Sequence, residues 1–297
     1  MKISEHTEID FKKWDEIILS SETPWVFAQS FYLNAVCPGW SAIISEDNKA
    51  VMPLTIKKKF GINYLMQPPF TPQLGLFGSY NESEGVELIS YLKNKFKYIA
   101  IELNSGNTFI NSEPKNKKTY IIDFRKPFVY NSNTKRNIAK ANKLNLKCVE
   151  IDDGEIKTYT KKLLHPFLKN KLLIKPKQIK IFDQLLHNAI NEKCLKSFVV
   201  IDENEKVSAL AHFIYNEKHV VYLKGKSVDK SANSGSMHFL MDKAIEYFEY
   251  KNIRIFDFGG GQSDSLAQFY SGFGAKPLTY SVFNVNNLPK AIKWLKK

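Results

Sequence analysis

The stretch Ile253-Arg-Ile-Phe-Asp-Phe-Gly-Gly-Gly-Gln-Ser-Asp-Ser-Leu-Ala-Gln-Phe-Tyr-Ser-Gly-Phe-Gly-Ala-Lys-Pro277 decides the fold of this chain. Ile253, Ile255, Phe256 and Phe258 are the β-branched and aromatic run of a buried strand. Gly259, Gly260 and Gly261 then remove every Cβ, which lets the backbone take a positive φ or come close to a ligand. Ser263 or Asp264 is placed to cap a following helix, whose first free N–H groups point into the glycine gap. A strand that stops at such a gap, facing a helix N-terminus, builds a binding cleft.

Upstream, Met237, Leu240, Met241, Ala244, Ile245 and Phe248 form the stripe of an amphipathic helix. Before it, Ser197–Val207, Ala209–His212 and Val220–Lys224 read as an antiparallel meander with an acidic-Asn turn. The first half of the chain repeats this order. Ser41–Val51, Pro53–Ile56 and Asn63–Met66 predict a second meander. A helix over Gly85–Phe96 (Val86, Ile89, Leu92, Phe96) and a strand over Tyr98–Leu103 follow it. Two copies imply a duplicated α/β unit. We expect an α/β (α+β) chain of two units packed as one body, 1–125 and 126–297, each a mixed, mostly antiparallel sheet flanked by helices.

Further helices are predicted over Asn131–Leu146, Glu155–Lys169, Gln178–Glu192 and Leu288–Lys297, punctuated by Pro166, Pro176 and Pro289. On the first of these, Arg136, Lys140, Lys143 and Lys147 form one basic stripe. It reads either as a grip for a phosphorylated acceptor or tRNA, or as a solvated helix face.

At 297 residues, with 43% hydrophobic and 25% charged residues, the composition is that of an ordinary globular protein. No stretch is apolar enough to cross a bilayer, and the polar start has no signal-peptide core, so the cytoplasm is the expected location. Cys37, Cys148 and Cys194 are odd in number and lack a C-x-x-C pair, which predicts neither a disulfide framework nor a metal site. The net charge of +13 points to acidic partners. Only three residues are arginine, so base-reading forks are scarce.

A meander, an amphipathic helix, a strand, a glycine gap and then Leu-Ala-Gln-Phe-Tyr-Ser-Gly-Phe-Gly-Ala resemble the GNAT acyltransferase fold. Two such units resemble the double-GNAT architecture of the Fem-type peptidoglycan aminoacyltransferases and their FemAB-like relatives. Phe256-Asp-Phe-Gly-Gly260 resembles the family's Asp-Phe-Gly-Gly strand end, and Phe269-Tyr-Ser-Gly-Phe-Gly274 its Phe-Lys-x-Gly-Phe-Gly. Thr134-Lys-Arg-Asn-Ile-Ala-Lys-Ala141 resembles its basic helix. The resemblance implies an N-acyltransferase that moves an acyl group from a thioester donor, acyl-CoA (acetyl-CoA) or a carrier, to an amino-sugar or amino-acid amine. It equally implies aminoacyl-tRNA-dependent transfer in cell-envelope synthesis. A non-enzymatic basic scaffold that binds RNA or a partner protein is the third alternative.

Tyr270 stands where Fem-type enzymes carry Lys. In acyl-CoA-dependent GNAT enzymes a Tyr on this helix protonates the departing thiolate, which a phenol suits. The other reading of Tyr270 is a core tyrosine. Lys230-Ser-Ala-Asn-Ser-Gly-Ser236 replaces the glycine-rich pyrophosphate loop; Ser234, Gly235 and Ser236 either offer donors to phosphate or form an ordinary cap turn. The resemblance places the donor beside the strand carrying Leu223, Lys224 and Gly225, and the acceptor near Gly259 and Gly260. Asp257 either orients or deprotonates the acceptor or bonds a backbone N–H. Gln67-Pro-Pro-Phe-Thr-Pro-Gln-Leu-Gly75, with Gln67, Phe70 and Gln73, either lines an acceptor cleft or is a stiff surface turn. The acceptor is a small or nucleotide-linked molecule, tRNA remains an alternative partner, and oligomeric state is open.

Overall fold

The computed structural model describes residues 2–109, 115–228 and 234–289. They form two compact units: the residues up to Lys118 together with those from Thr279, and Thr119–Leu278. The cut therefore falls at 118 rather than at 125, and the residues from 279 belong with the first unit, not the second.

The first unit opens with β1 (Lys2–Ser4), α1 (Phe11–Ser20) and α2 (Ser30–Val36). The strands β2 (Ser41–Ile44), β3 (Ala50–Leu54), β4 (Ile56–Lys59), β5 (Ile62–Met66) and β6 (Phe77–Gly78) follow. The meander expected here is broken. β3 pairs with β2 and β6, whereas β4 pairs with β5, whose other neighbour is the parallel strand β7 (Tyr98–Glu102). Pro53 and the step at Thr55 separate the two sets, because a proline inside a strand withholds one ladder donor. Between β5 and β7 runs α3 (Glu82–Lys95), which starts three residues before the expected Gly85 because Asn81 and Glu84 form a capping box. Leu88, Ile89 and Leu92 of α3 pack on Leu54, Leu65, Ile99 and Ile101.

The second unit begins within β8 (Lys115–Asp123) and continues with α4 (Ser132–Lys143) and β9 (Lys147–Glu150). Asn145, at φ +51, ends α4, so Lys147 lies in a strand and only Arg136, Lys140 and Lys143 share the helix. The helix expected over 155–169 is α5 (Asp153–Tyr159), a π-turn at 160–164, and α6 (His165–Asn170). Pro166 follows the π-turn in a helical run that continues unbroken from Asp153, so its missing N–H removes one rung at the junction, just after the His165 N–H has bonded Thr160 O. α7 spans Pro176–Asn191 and buries Phe182, Leu185, Leu186 and Ala189.

Next come β10 (Leu195–Ile201), β11 (Val207–Tyr215) and β12 (His219–Ser227), the antiparallel meander expected from the sequence. α8 (Ser236–Tyr250) buries Leu240, Met241, Ala244, Ile245 and Phe248 against Phe213, Val220 and Phe256. It leads to β13 (Ile255–Asp257), which runs parallel to β12 and antiparallel to β8. α9 (Asp264–Gly272) and β14 (Lys276–Asn286) complete the order, and β14 returns to the first unit by pairing with β7. Each unit thus contains a strand, a helix and a second strand parallel to the first: β5–α3–β7 and β12–α8–β13. The helix expected over 288–297 lies outside the described residues.

Candidate active site

The second unit places the opening stretch at a point where two parallel strands part. β12 and β13 pair over His219–Ile255, Val220–Phe256 and Val221–Asp257, and no further. On the other side of β12 the register against β11 slips between His212–Lys224 and Phe213–Tyr222, which leaves Leu223 as the extra residue of a bulge. Strand pairing is therefore relaxed on both sides of Tyr222–Lys224. Ladder N–H groups that no longer meet a neighbour are free to polarise a carbonyl.

The glycine triplet turns the chain away from this opening. Gly259 takes φ +67, and a Cβ on it would stand 2.8 Å from the Tyr222 carbonyl oxygen. Gly261 takes φ +125, and its Cβ would stand 2.5 Å from the Tyr120 ring. Only Gly260 of the three has open space where its Cβ would be. The close approach that the sequence assigns to a ligand is thus, at Gly259 and Gly261, an approach of the chain to itself.

Asp257 is fully buried. Its Oδ1 accepts from the Thr119 hydroxyl at 2.5 Å and from the Gly259 N–H at 2.8 Å, and Thr119 Oγ1 in turn accepts from the Gly260 N–H at 3.1 Å. Of its two expected roles, the bond to a backbone N–H is the one seen: the carboxylate ties β8 to the glycine turn. His219 Nε2 lies 3.6 Å from Asp257 Oδ2, with both side chains buried. Burial holds this imidazole below its ordinary range despite the neighbouring carboxylate, so it is neutral at pH 7 and the contact is not an ion pair.

Ser263 caps α9 by accepting from the Leu266 N–H, and α9 carries Tyr270 to this place. Tyr270 is 5% exposed, its ring centroid 4.6 Å from that of Phe258 and 6.2 Å from that of Tyr120. Burial, helped by the negative charge of Asp257, raises its phenol above the ordinary value, so it keeps its proton throughout the neutral range. Tyr222 is held protonated in the same way, first by burial. A Cβ on Gly225 would stand 2.6 Å from the Leu210 carbonyl oxygen and as close to the Tyr222 hydroxyl, so a side chain there would collide with β11. Lys224 is half-buried, and burial lowers its ammonium below the usual lysine range.

The remaining candidates divide by unit. Gly235 caps α8 at φ +77, and a Cβ there would stand 2.1 Å from the carbonyl oxygen of Asn137 in α4. Ser236 is buried and its hydroxyl donates to Ser208 O at 3.3 Å, while Ser234 Oγ accepts from the Ser236 N–H. Residues 230–233 of the expected phosphate loop lie outside the described residues. Arg136 and Lys140 are exposed on α4, Arg136 donating to Asn133 Oδ1 at 2.8 Å. The His238 ring, on α8, lies 4.8 Å from that of Phe269 and 5.8 Å from that of Phe273, centroid to centroid.

In the first unit, Gln67 and Gln73 hold the proline-rich loop together rather than leaving it as a bare turn. Gln67 donates to Thr71 O and accepts from the Glu102 N–H, while buried Gln73 accepts from the Ser105 N–H. The carbonyl of Phe70, at φ +62, accepts from the Tyr32 hydroxyl.

The order of elements and the parted strands define a tandem GNAT fold. FemX is similar to this chain over the full length of both chains, with TM-score 0.72 and 12% identity. A tandem GNAT protein from the clavulanic acid biosynthesis pathway is similar over 95% of this chain and 97% of its own, with TM-score 0.50 and 10% identity. L-PGS from Bacillus licheniformis is similar over 89% and 90%, with TM-score 0.55 and 11% identity. No family model and no curated protein sequence matches the chain.

Proposed function

We propose that the chain is an N-acyltransferase whose second unit holds a thioester donor, acyl-CoA or a carrier-bound acyl group, in the gap between β12 and β13. The observation that carries this reading is the parting of those strands after Val221 and Asp257, with the Leu223 bulge on β12 and Tyr270 packed on Phe258 just past the end of β13. The tandem GNAT neighbour is described as a structure without AcCoA, and the thioester donor is taken from the fold it shares with this chain. In the reaction, an acceptor amine attacks the acyl carbonyl carbon, the C–N bond forms and the C–S bond breaks. Tyr270 delivers its proton to the departing thiolate, the amine proton leaves to solvent, and solvent returns one proton to the Tyr270 phenolate. Relaxed N–H groups about Leu223–Gly225 stabilise the oxyanion, and Gly260 leaves room for the acyl end. Asp257 is a positioning residue that holds Gly259 directly and Gly260 through Thr119. The acceptor is an amino-sugar or amino-acid amine, free or nucleotide-linked, with Arg136 and Lys140 available to its phosphates.

A second reading keeps the fold and replaces the thioester by aminoacyl-tRNA. The FemX likeness and the exposed basic face of α4 favour it. Thermal stabilisation separates the two. At a hundredfold excess over Kd a bound ligand stabilises by about 2.7 kcal/mol, a midpoint rise of several degrees. Such a rise with coenzyme A and acetyl-CoA is expected. A rise with aminoacyl-tRNA and none with any thioester would transfer the assignment to the second reading.

A further inference from the structure

Residues 156–182 contain eight lysines and no aspartate or glutamate, and all eight lysines are exposed. At the corner between α6 and α7 this basic run carries two adjacent leucines turned outward, Leu172 at 43% and Leu173 at 79% exposure. Lys169 and Lys171 precede them in the chain and Lys175 and Lys177 follow, all four exposed. We propose that this corner docks the protein on an anionic lipid surface, Leu172 and Leu173 entering the boundary between headgroups and acyl chains while the four lysines meet the lipid charge.

Three observations carry the proposal. Leu173 adopts φ +53, a left-handed conformation that is costly for a bulky side chain and usual for glycine at a helix end. The leucine gains almost no burial in return, so the fold itself does not account for its presence. Its neighbours, by contrast, are held: the Ile174 N–H donates to Leu168 O at 2.9 Å, and Leu168 and Phe182 are fully buried. The corner also rests on a fixed base. Buried Thr160, in the π-turn before α6, bonds His212 Nε2 at 2.9 Å, and Ser197 bonds His212 Nδ1 at 2.7 Å, tying the helices to β10 and β11.

The chemistry selects lipid over other acidic partners. The run has no arginine, and its aromatic residues Tyr159, Phe167 and Phe182 are half-buried or buried, so it offers neither guanidinium forks nor stacking faces to RNA. Two leucines are far too little apolar surface to hold a folded protein partner, whose interfaces bury on the order of 1,200–2,000 Å². A bilayer boundary asks only for a small apolar tip ringed by cations.

Co-sedimentation of the full chain with vesicles tests this. Binding is expected to vesicles containing phosphatidylglycerol, to weaken in salt, and to be absent with phosphatidylcholine alone. Lys171→Gln and Lys175→Gln should each weaken it about five-fold, and the pair Leu172→Ser, Leu173→Ser by about ten-fold or more. Leu173→Gly relieves the left-handed strain, so it should raise the thermal midpoint while weakening vesicle binding. Equal recovery with both vesicle types, unchanged binding of the double serine variant, a lowered midpoint for Leu173→Gly, or tighter binding to RNA than to anionic vesicles would each overturn the proposal.

Discussion

Gly272 lies against Thr134: a Cβ on the glycine would stand 2.5 Å from the threonine Oγ1. The Asn131 N–H also donates to the Gly272 carbonyl at 2.9 Å, so the end of α9 is sewn to the first turn of α4. Two segments separated by more than a hundred residues, Phe269–Gly274 and the start of the basic helix, are thus one structural joint. This joint sets the depth at which Tyr270 sits. Gly272→Ala should lower stability by about 1–3 kcal/mol through overpacking. Thr134→Ala in the same chain should restore part of that loss, a coupling that a double-mutant cycle in denaturant measures. Strict additivity would show that the contact does not limit packing.

Tyr270→Phe keeps the ring on Phe258 and removes the proton donor. We expect the maximal rate to fall by about a hundredfold or more, with donor affinity unchanged. Steady-state kinetics with an acyl-CoA donor, once an acceptor is in hand, reads both quantities. An unchanged rate would leave the tyrosine a packing role alone.

The three glycines of the turn should behave differently. Gly260→Ala meets nothing within 4 Å and should be close to neutral in thermal stability, while it narrows the proposed acyl site and weakens donor binding. Gly259→Ala and Gly261→Ala combine a positive φ with a blocked Cβ and should each destabilise by about 1–3 kcal/mol. Thermal melts with and without coenzyme A separate the two classes.

Thr119→Val deletes the hydroxyl that donates to Asp257 Oδ1 and accepts from Gly260. A buried carboxylate that loses a donor costs about 1–3 kcal/mol. Activity should fall with stability, whereas Thr119→Ser, which retains the hydroxyl, should recover both. Recovery by valine would refute the positioning role of the Thr119–Asp257 pair.

His212 gives stability a pH dependence. Burial pushes its imidazole down to about 3 from the ordinary 6.5. Above the ordinary value both folded and unfolded chains are neutral, and nothing is lost. As pH falls below it, only the unfolded chain takes the proton, so stability drops by up to about 1.4 kcal/mol per pH unit until the folded value is reached. Denaturation midpoints should therefore decline between about pH 6.5 and about pH 3, and His212→Asn should flatten the decline by up to one proton. An identical slope in the variant would assign the effect to other groups.

Much of the second unit is legible in sequence because β10–β12 are apolar runs broken by an acidic-Asn turn and α8 carries an uninterrupted stripe. The first unit's meander is not, since Pro53 and the exposed Ile-Lys-Lys-Lys of β4 divide what looks like one run into two pairings. β8 and β14 also escape notice: Lys115–Lys118 disguises the start of one, and the other mixes Tyr280, Val282 and Phe283 with polar residues. With β8 unread, Thr119 and Tyr120 could not be linked to Asp257 and Tyr270. A signal was present in Thr119-Tyr-Ile-Ile122, a strand-forming run. The glycines were visible but not what they face, because composition cannot tell a ligand's approach from that of another backbone.

The first unit is not contiguous in the chain, while the second is. β7 obtains an antiparallel partner only from residues 282–286, after all of Thr119–Leu278 has been made. During synthesis the later unit can therefore be the earlier to finish, with the opening residues waiting as an incomplete sheet edge for the chain to come back. A nascent chain stalled before Thr279 would carry one finished body and one exposed to chaperones and proteases.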